Sequence, residues 1–146
     1  MDSQPILSEA NVRQAVPFFW VTSMETSLRY YTEGLGFHID KTWTPDGKIR
    51  WCWLTLDDTS IMLQEYNPAR IPTNKLGEGV SVCFQCRDAI ALYHQFTARG
   101  ITVKHPFVGN GLWVVVTTDP DGYTLDFESP TDVPEETLYD PEQHGT

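Results

Sequence analysis

The feature that most limits what this chain can fold into is an order of elements that occurs twice. AVPFFWVT (15–22) is a short apolar and aromatic run that reads as a strand. It leads into a helix signal: Thr22 and Glu25 stand at capping-box spacing, and Met24, Leu28, Tyr31 and Leu35 recur at helical intervals before Gly36. FHIDKTWT, RWCWLTL and TSIMLQEY then read as three strands, separated by PDG (45–47) and by Asp57 and Asp58. The order returns with GVSVCFQC as a strand. A helix follows, capped by Asp88, carrying Ala89, Leu92, Tyr93 and Phe96, and stopped by Gly100. ITVKHPF, LWVVVTT and YTLDFES complete the repeat, the last two separated by DPDG (119–122). One such module cannot bury both its helix and a face of its sheet, so two modules must combine. The expectation is a single domain over 1–146, with module one at about 15–66, a linker at 67–78, module two at about 79–128, and an acidic tail at 129–146 lying loosely on the surface. Helices are expected near 24–35 and 88–99.

Charge and composition exclude several functions. With 20 acidic against 10 basic residues, the net charge is −10. Nucleic acid and anionic membranes both favour a cationic surface, so neither is expected as a partner. No run of about 18 apolar residues is present, so no membrane-spanning helix is expected. MDSQPILSEANVRQ has neither a basic nor an apolar leader segment, and a cytoplasmic location is expected. The cysteines number three, which argues against a disulfide framework. Cys83 and Cys86 sit three apart in an expected strand and so point to opposite faces. They read as ordinary buried thiols rather than a metal pair. His38, His94, His105 and His144 have no partner at useful spacing and read as surface or locally bonded residues, His38 and His105 having some chance of reaching a cleft. No nucleophile–histidine arrangement stands out, and GLG follows a helix instead of a strand, the wrong order for a dinucleotide loop.

Two segments give the repeat a family resemblance. SLRYYTEGLGF (27–37) matches a helix-to-strand pattern written S-x-x-F-Y-x-x-x-L-G-F, and DPDGYTLDF (119–127) matches D-P-D-G-[NY]-x-[IL]-E-[LF]. With the element order, these make the chain resemble the vicinal-oxygen-chelate superfamily, which includes glyoxalases, bleomycin-resistance proteins and extradiol dioxygenases. The resemblance covers about residues 15–128. It implies an α+β fold of two βαβββ modules whose cupped, mainly antiparallel sheets surround a concave cleft. Metal-dependent members place one ligand on each of four strands. Carried onto this sequence, those positions fall on Val16, Met62, Ser81 and Asp126. Only Asp126 is a usual ligand, since valine has no donor atom and a thioether or hydroxyl is a poor ligand for a catalytic divalent ion. No metal and no cofactor is therefore expected.

Strand alternation assigns the cleft-facing residues. The first strand contributes Val16, Phe18 and Trp20, the third Trp51 and Trp53, and the fourth Met62, Gln64 and Tyr66. The fifth contributes Ser81, Cys83 and Gln85, and the eighth Thr124, Asp126 and Glu128. Cys52, Leu54, Leu125 and Phe127 face the other way, while alternation does not orient Trp113. The expected ligand-binding set is Phe18, Trp20, Trp51, Trp53, Met62, Gln64, Tyr66, Ser81, Asp126 and Glu128. Aromatic side chains also fill cores, but three indoles on neighbouring strands exceed what a small core needs and favour a pocket.

The resemblance is nearest in character to the metal-free bleomycin-resistance members. It implies a small-molecule binding protein that sequesters a bulky aromatic ligand, with Asp126 and Glu128 facing any cationic group on it. An aromatic pocket with carboxylates suits such a ligand. The competing expectation is a metal-dependent lyase, isomerase or dioxygenase with a non-standard site built from Asp126, Glu128, Gln64 and His38 or His105. A third is a structural or regulatory domain with a filled cleft. A homodimer is expected from the resemblance and from the prevalence of two-fold assemblies.

Overall fold

The computed structural model describes residues 9–145; the leader reading of the first eight residues lies outside them. Eight strands form two four-stranded sheets. Module one supplies β1 (Phe18–Val21), β2 (His38–Trp43), β3 (Trp51–Leu56) and β4 (Thr59–Glu65), in the spatial order β1-β4-β3-β2. Module two supplies β5 (Ser81–Gln85), β6 (Phe107–Gly109), β7 (Leu112–Thr118) and β8 (Thr124–Pro130), in the order β5-β8-β7-β6. In each sheet the first strand runs parallel to the last, and the other pairs are antiparallel. The repeat expected from the sequence is thus present in both topology and order.

Alternation along the strands separates two faces. Phe19 and Val21, Cys52 and Leu54, and Ile61 and Leu63 are buried on one face of the first sheet, and Phe84, Val115, Leu125 and Phe127 on one face of the second. These residues, with Tyr31, Leu35, Phe37 and Phe96, form one continuous core. The Phe84 and Phe127 rings stack at 4.7 Å, and the Phe37 ring meets Phe84 edge-on at 6.2 Å. The two modules therefore join through their helix-bearing faces. Trp113 belongs to this side, because it pairs with Ser129 while its neighbour Val114 pairs with Glu128.

The first helix departs from expectation. Ser23, not Thr22, caps α1 (Met24–Leu28), accepting from the Thr26 amide. Thr22 instead donates through its amide and hydroxyl to Asp121 of the other module, at 3.0 and 2.6 Å. After Leu28 the helix widens into a π-helical turn over Arg29–Gly34, with the Leu35 amide reaching back to the Tyr30 carbonyl. Widened turns shift the side-chain phase. Here consecutive tyrosines both reach module two: the Tyr30 and Thr117 hydroxyls lie 2.8 Å apart, and the Tyr31 hydroxyl donates to Asp119 at 2.8 Å. Gly34 lets Ile101 approach, since a Cβ there would stand 2.4 Å from the Ile101 Cδ1.

Three further expectations change. ITVKHPF is not a continuous strand: Val103 makes one isolated bridge to Thr117, and β6 begins only at Phe107. Its two prolyl-flanking polar residues, Lys104 and His105, lie in the break. The tail is not loose. Tyr139 is buried at 3% exposure, its amide donates to the Pro106 carbonyl, and its ring meets Trp113 edge-on at 5.7 Å. Cys83 is exposed and Cys86 half-buried, so only Cys52 is a core thiol. Helix α2 (Ala89–Ala98) is as expected, with the Asp88 carboxylate accepting from the Ala91 amide.

Asp119, in the DPDG turn, is buried and accepts from the Tyr31 hydroxyl and from the Asp121 and Tyr123 amides. Burial nevertheless outweighs these bonds and raises its carboxyl above the ordinary 3.8. A carboxyl whose folded value exceeds its unfolded one favours folding most below the unfolded value and loses that contribution as pH rises through the folded one. Relative to Asp119→Asn, the native chain should therefore gain melting temperature as pH falls from 7 towards 4. Paired thermal melts across that range check this, and a native advantage that grows with rising pH refutes it.

Candidate functional site

The faces of the two sheets opposite the core carry the residues singled out by alternation. On the first sheet, pairing across strands aligns two rows. Phe18 pairs with Met62, Met62 with Trp53, and Trp53 with Lys41. Trp20 pairs with Gln64, Gln64 with Trp51, and Trp51 with Trp43. Phe18 is 44% exposed, Trp20 42% and Trp43 53%, high values for large apolar side chains. Their rings touch: Phe18 and Trp20 centroids lie 5.7 Å apart, and Trp20 and Tyr66 5.3 Å. The Lys41 ammonium stands 5.2 Å from the Trp53 ring centroid, a cation–π distance.

At the β4 end of this face lies a cavity of about 790 Å³, lined among others by Trp20, Trp43, Gln64, Tyr66 and Arg70. That volume is within the range of small-molecule sites, ~300–1,000 Å³. In its wall Arg50 pairs with Glu65, and at 2.8 Å it also pairs with Asp46. This pairing holds the Asp46 carboxyl below its ordinary value.

On the second sheet the rows are polar. Ser81 pairs with Thr124, Cys83 with Asp126 and Gln85 with Glu128, and the last two rows end on β7 at the buried Val116 and Val114. The Gln85 amide donates to Glu128 at 2.7 Å, and the Cys83 thiol lies 3.8 Å from an Asp126 oxygen. Burial, then the nearby Glu128 charge, raises the Asp126 carboxyl. The Cys83 thiol is raised by burial, then by Glu128 and Asp126.

The donors at the family-type metal position are few. Val16 has no donor, Met62 offers a thioether between Phe18 and Trp53 in the register, Ser81 offers a hydroxyl, and only Asp126 a carboxylate. That set does not fit a catalytic divalent ion. Cys83, Asp126 and Glu128 do bring one ligand atom each within 4.8 Å of one another. Metal binding needs the thiolate, however, and both carboxylates favour the neutral thiol.

Sequence reading placed all ten expected ligand-binding residues on the open faces or, for Tyr66, at the strand end beside the cavity. It missed Trp43, which alternation from Lys41 would have aligned with Trp51, and Arg50 and Arg70. Arg70 sits in NPAR, a segment whose proline and asparagine signal only a turn. His105 and His94 are committed to the tail, at 2.7 Å from the Tyr139 carbonyl and 3.0 Å from its hydroxyl. His144 accepts from the Asp140 amide. His38 pairs with Thr55 at the far end of the first sheet.

A family model described as the Glyoxalase/Bleomycin resistance protein/Dioxygenase superfamily matches residues 13–127. No curated protein matches the sequence. Among solved structures, a bleomycin-binding protein complexed with bleomycin shares 21% identity, with a TM-score of 0.65 over 81% of this chain and 98% of that one. An antibiotic binding protein from Streptomyces sp. CB03234 shares 24% identity, with a TM-score of 0.63 over 84% and 100%. A glyoxylase/bleomycin resistance protein/dioxygenase domain from Frankia sp. EAN1pec shares 16%, with a TM-score of 0.66 over 86% and 96%. At these identities the likeness is one of fold.

Burial and then the neighbouring carboxylates lower the reactivity of Cys83. Cys83 should be the first of the three thiols modified by a neutral alkylating reagent at pH 7, because Cys52 is buried, and slower than a free thiol. Asp126→Asn or Glu128→Gln should speed its modification severalfold. Mass-resolved alkylation kinetics checks both, and unchanged rates in the two variants refute the electrostatic account.

Proposed function

This chain belongs to the glyoxalase/bleomycin resistance protein/dioxygenase superfamily, and from that premise we propose that it is a small-molecule binding protein that sequesters a bulky aromatic ligand without a metal. One observation carries the reading: Phe18, Trp20, Trp51, Trp53 and Trp43 occupy two adjacent rows on the open face of one sheet, where metal-using members of the family would present ligands. Indoles give large contact area to a planar ligand and attract cations. The solved structures of similar fold include a bleomycin-binding protein and an antibiotic binding protein, which supports a binding role. Asp126 and Glu128 on the open face of the other sheet supply negative charge for a cationic group on the ligand. The competing reading, a lyase, isomerase or dioxygenase with a non-standard metal site, rests on Cys83, Asp126 and Glu128 alone. A homodimer belongs to the same proposal, since two-fold assemblies are the commonest oligomers.

A polycationic aromatic glycopeptide such as bleomycin should quench tryptophan fluorescence, with an affinity that falls as salt rises. Asp126→Asn with Glu128→Gln should raise its Kd about tenfold, equivalent to ~1.4 kcal/mol. No quenching and no shift in melting by any aromatic probe at millimolar concentration would sink the binding reading. Elemental analysis of the purified protein should find well under one transition metal per chain; about one, lost on Asp126→Ala, would favour the enzyme. Light scattering should give about twice the 16.6 kDa chain mass, and a concentration-independent single-chain mass would remove the dimer.

A further inference from the structure

The cavity at the β4 end of the first sheet differs in polarity from the second sheet. We propose that it is an anion-accepting aromatic subsite, which takes a planar ring bearing a carboxylate, with the ring against Trp20 and Trp43 and the carboxylate on Arg70. This rests on the small-molecule binding reading and adds the class of group bound at this end.

The balance of donors and acceptors carries it. Three charged residues line the cavity: Arg50, Glu65 and Arg70. Both Glu65 oxygens are committed, one to Arg50 and the other to the Met24 amide at 2.8 Å. Arg50 is held between Glu65 and Asp46, so neither it nor they offer an unpaired charge. Arg70 is different. Asn67 caps the single turn Pro68–Arg70, accepting from the Ala69 amide at 3.0 Å, which sets where the Arg70 side chain leaves the backbone. Among the described residues its guanidinium makes no ion pair and no hydrogen bond, and it lies over no ring. Arg50 is thus neutralised inside the cavity, while Arg70 keeps its charge beside an aromatic wall.

The other polar groups of the cavity point the same way. The Gln64 amide, the Tyr66 hydroxyl and the indole N–H groups of Trp20 and Trp43 have no hydrogen-bond partner among the described residues. The two indole N–H groups only donate, the Gln64 amide and the Tyr66 hydroxyl can donate or accept, and the one carboxylate present is already satisfied. A donor-rich pocket with a free guanidinium selects an acceptor, and a carboxylate meets the planar fork of arginine with two parallel hydrogen bonds. The aromatic walls favour placing that carboxylate on a flat ring.

Isothermal titration calorimetry with 2-naphthoate, 2-naphthamide and 2-naphthylmethylammonium tests the assignment. The expected order is naphthoate tightest, by about tenfold over the ammonium compound, with an affinity that falls as salt rises. Arg70→Glu should weaken naphthoate at least about tenfold and bring the ammonium compound level with it or ahead, while the melting temperature stays unchanged because Arg70 is exposed and unpaired. Arg70→Lys should retain part of the naphthoate affinity, keeping the charge but losing the fork. If the amide or ammonium probe binds and naphthoate binds no better, or if Arg70→Glu leaves naphthoate unaffected, the anionic subsite is overturned and the general binding reading stands. If none of the three probes binds, both fall.

Discussion

Each sheet has two faces, and the chain has one core. The helix-bearing faces of both sheets merge into a continuous cluster that includes Phe19, Tyr31, Phe37, Phe84, Phe96 and Phe127. Burial of apolar area is the dominant favourable term in folding, and a chain of this size gains most by making one core out of two modules. The consequence is geometric. Because the helix sides join, the opposite faces are turned outward and remain open, with Phe18 and Trp20 on one and Cys83, Asp126 and Glu128 on the other. The site is what remains after the core is built.

The DPDG turn links that core to the open face. Asp119 gathers the Tyr31 hydroxyl and two backbone amides, and Asp121 holds the chain at Thr22 as it leaves β1. Tyr123, just after the turn, stacks on Phe19 at 4.3 Å and donates to the Trp20 carbonyl at 2.8 Å. A conformationally tight turn in module two thus fixes the strand of module one that presents Phe18 and Trp20 to solvent. The linker contributes as well: Gly77 adopts a φ of +76° and lies so close to the turn that a Cβ would sit 2.6 Å from the Gly122 carbonyl oxygen. The π-helical turn belongs to the same arrangement, since it lets adjacent tyrosines both reach across the junction.

Charge is divided between the open faces. The first sheet and its cavity offer indoles, hydrogen-bond donors, Lys41 and an unpaired Arg70, while the second offers Asp126 and Cys83, whose proton affinities are raised by burial and then by the Glu128 charge. A net charge of −10 describes the whole chain and hides this division. Like charges close together on the second face are costly unless a cation or a proton relieves them. The donors on the first face similarly exchange their solvent partners only for an acceptor that fits.

Much of this was legible in the sequence, because it depends on local periodicity. Period-two alternation in FFWV, WCWL and TLDF fixes which side chains share a face, whatever the face later meets, so it assigns the aromatic and carboxylate residues to their faces. The duplicated element order and the two family-like segments fixed the fold for the same reason. Effects that depend on distant partners were not legible. Thr22 has a capping-box pattern but is drawn to Asp121, and Ser23 takes the cap. The tail reads as polar and proline-containing, yet Tyr139 meets Trp113 on β7, His94 on α2 and His105 in the break before β6. Arg70 reads as part of a linker, and Trp43 as one more strand residue. Only the tertiary structure closes a cavity around both, because a cavity is made by segments far apart in the chain, and no local pattern records which of them meet.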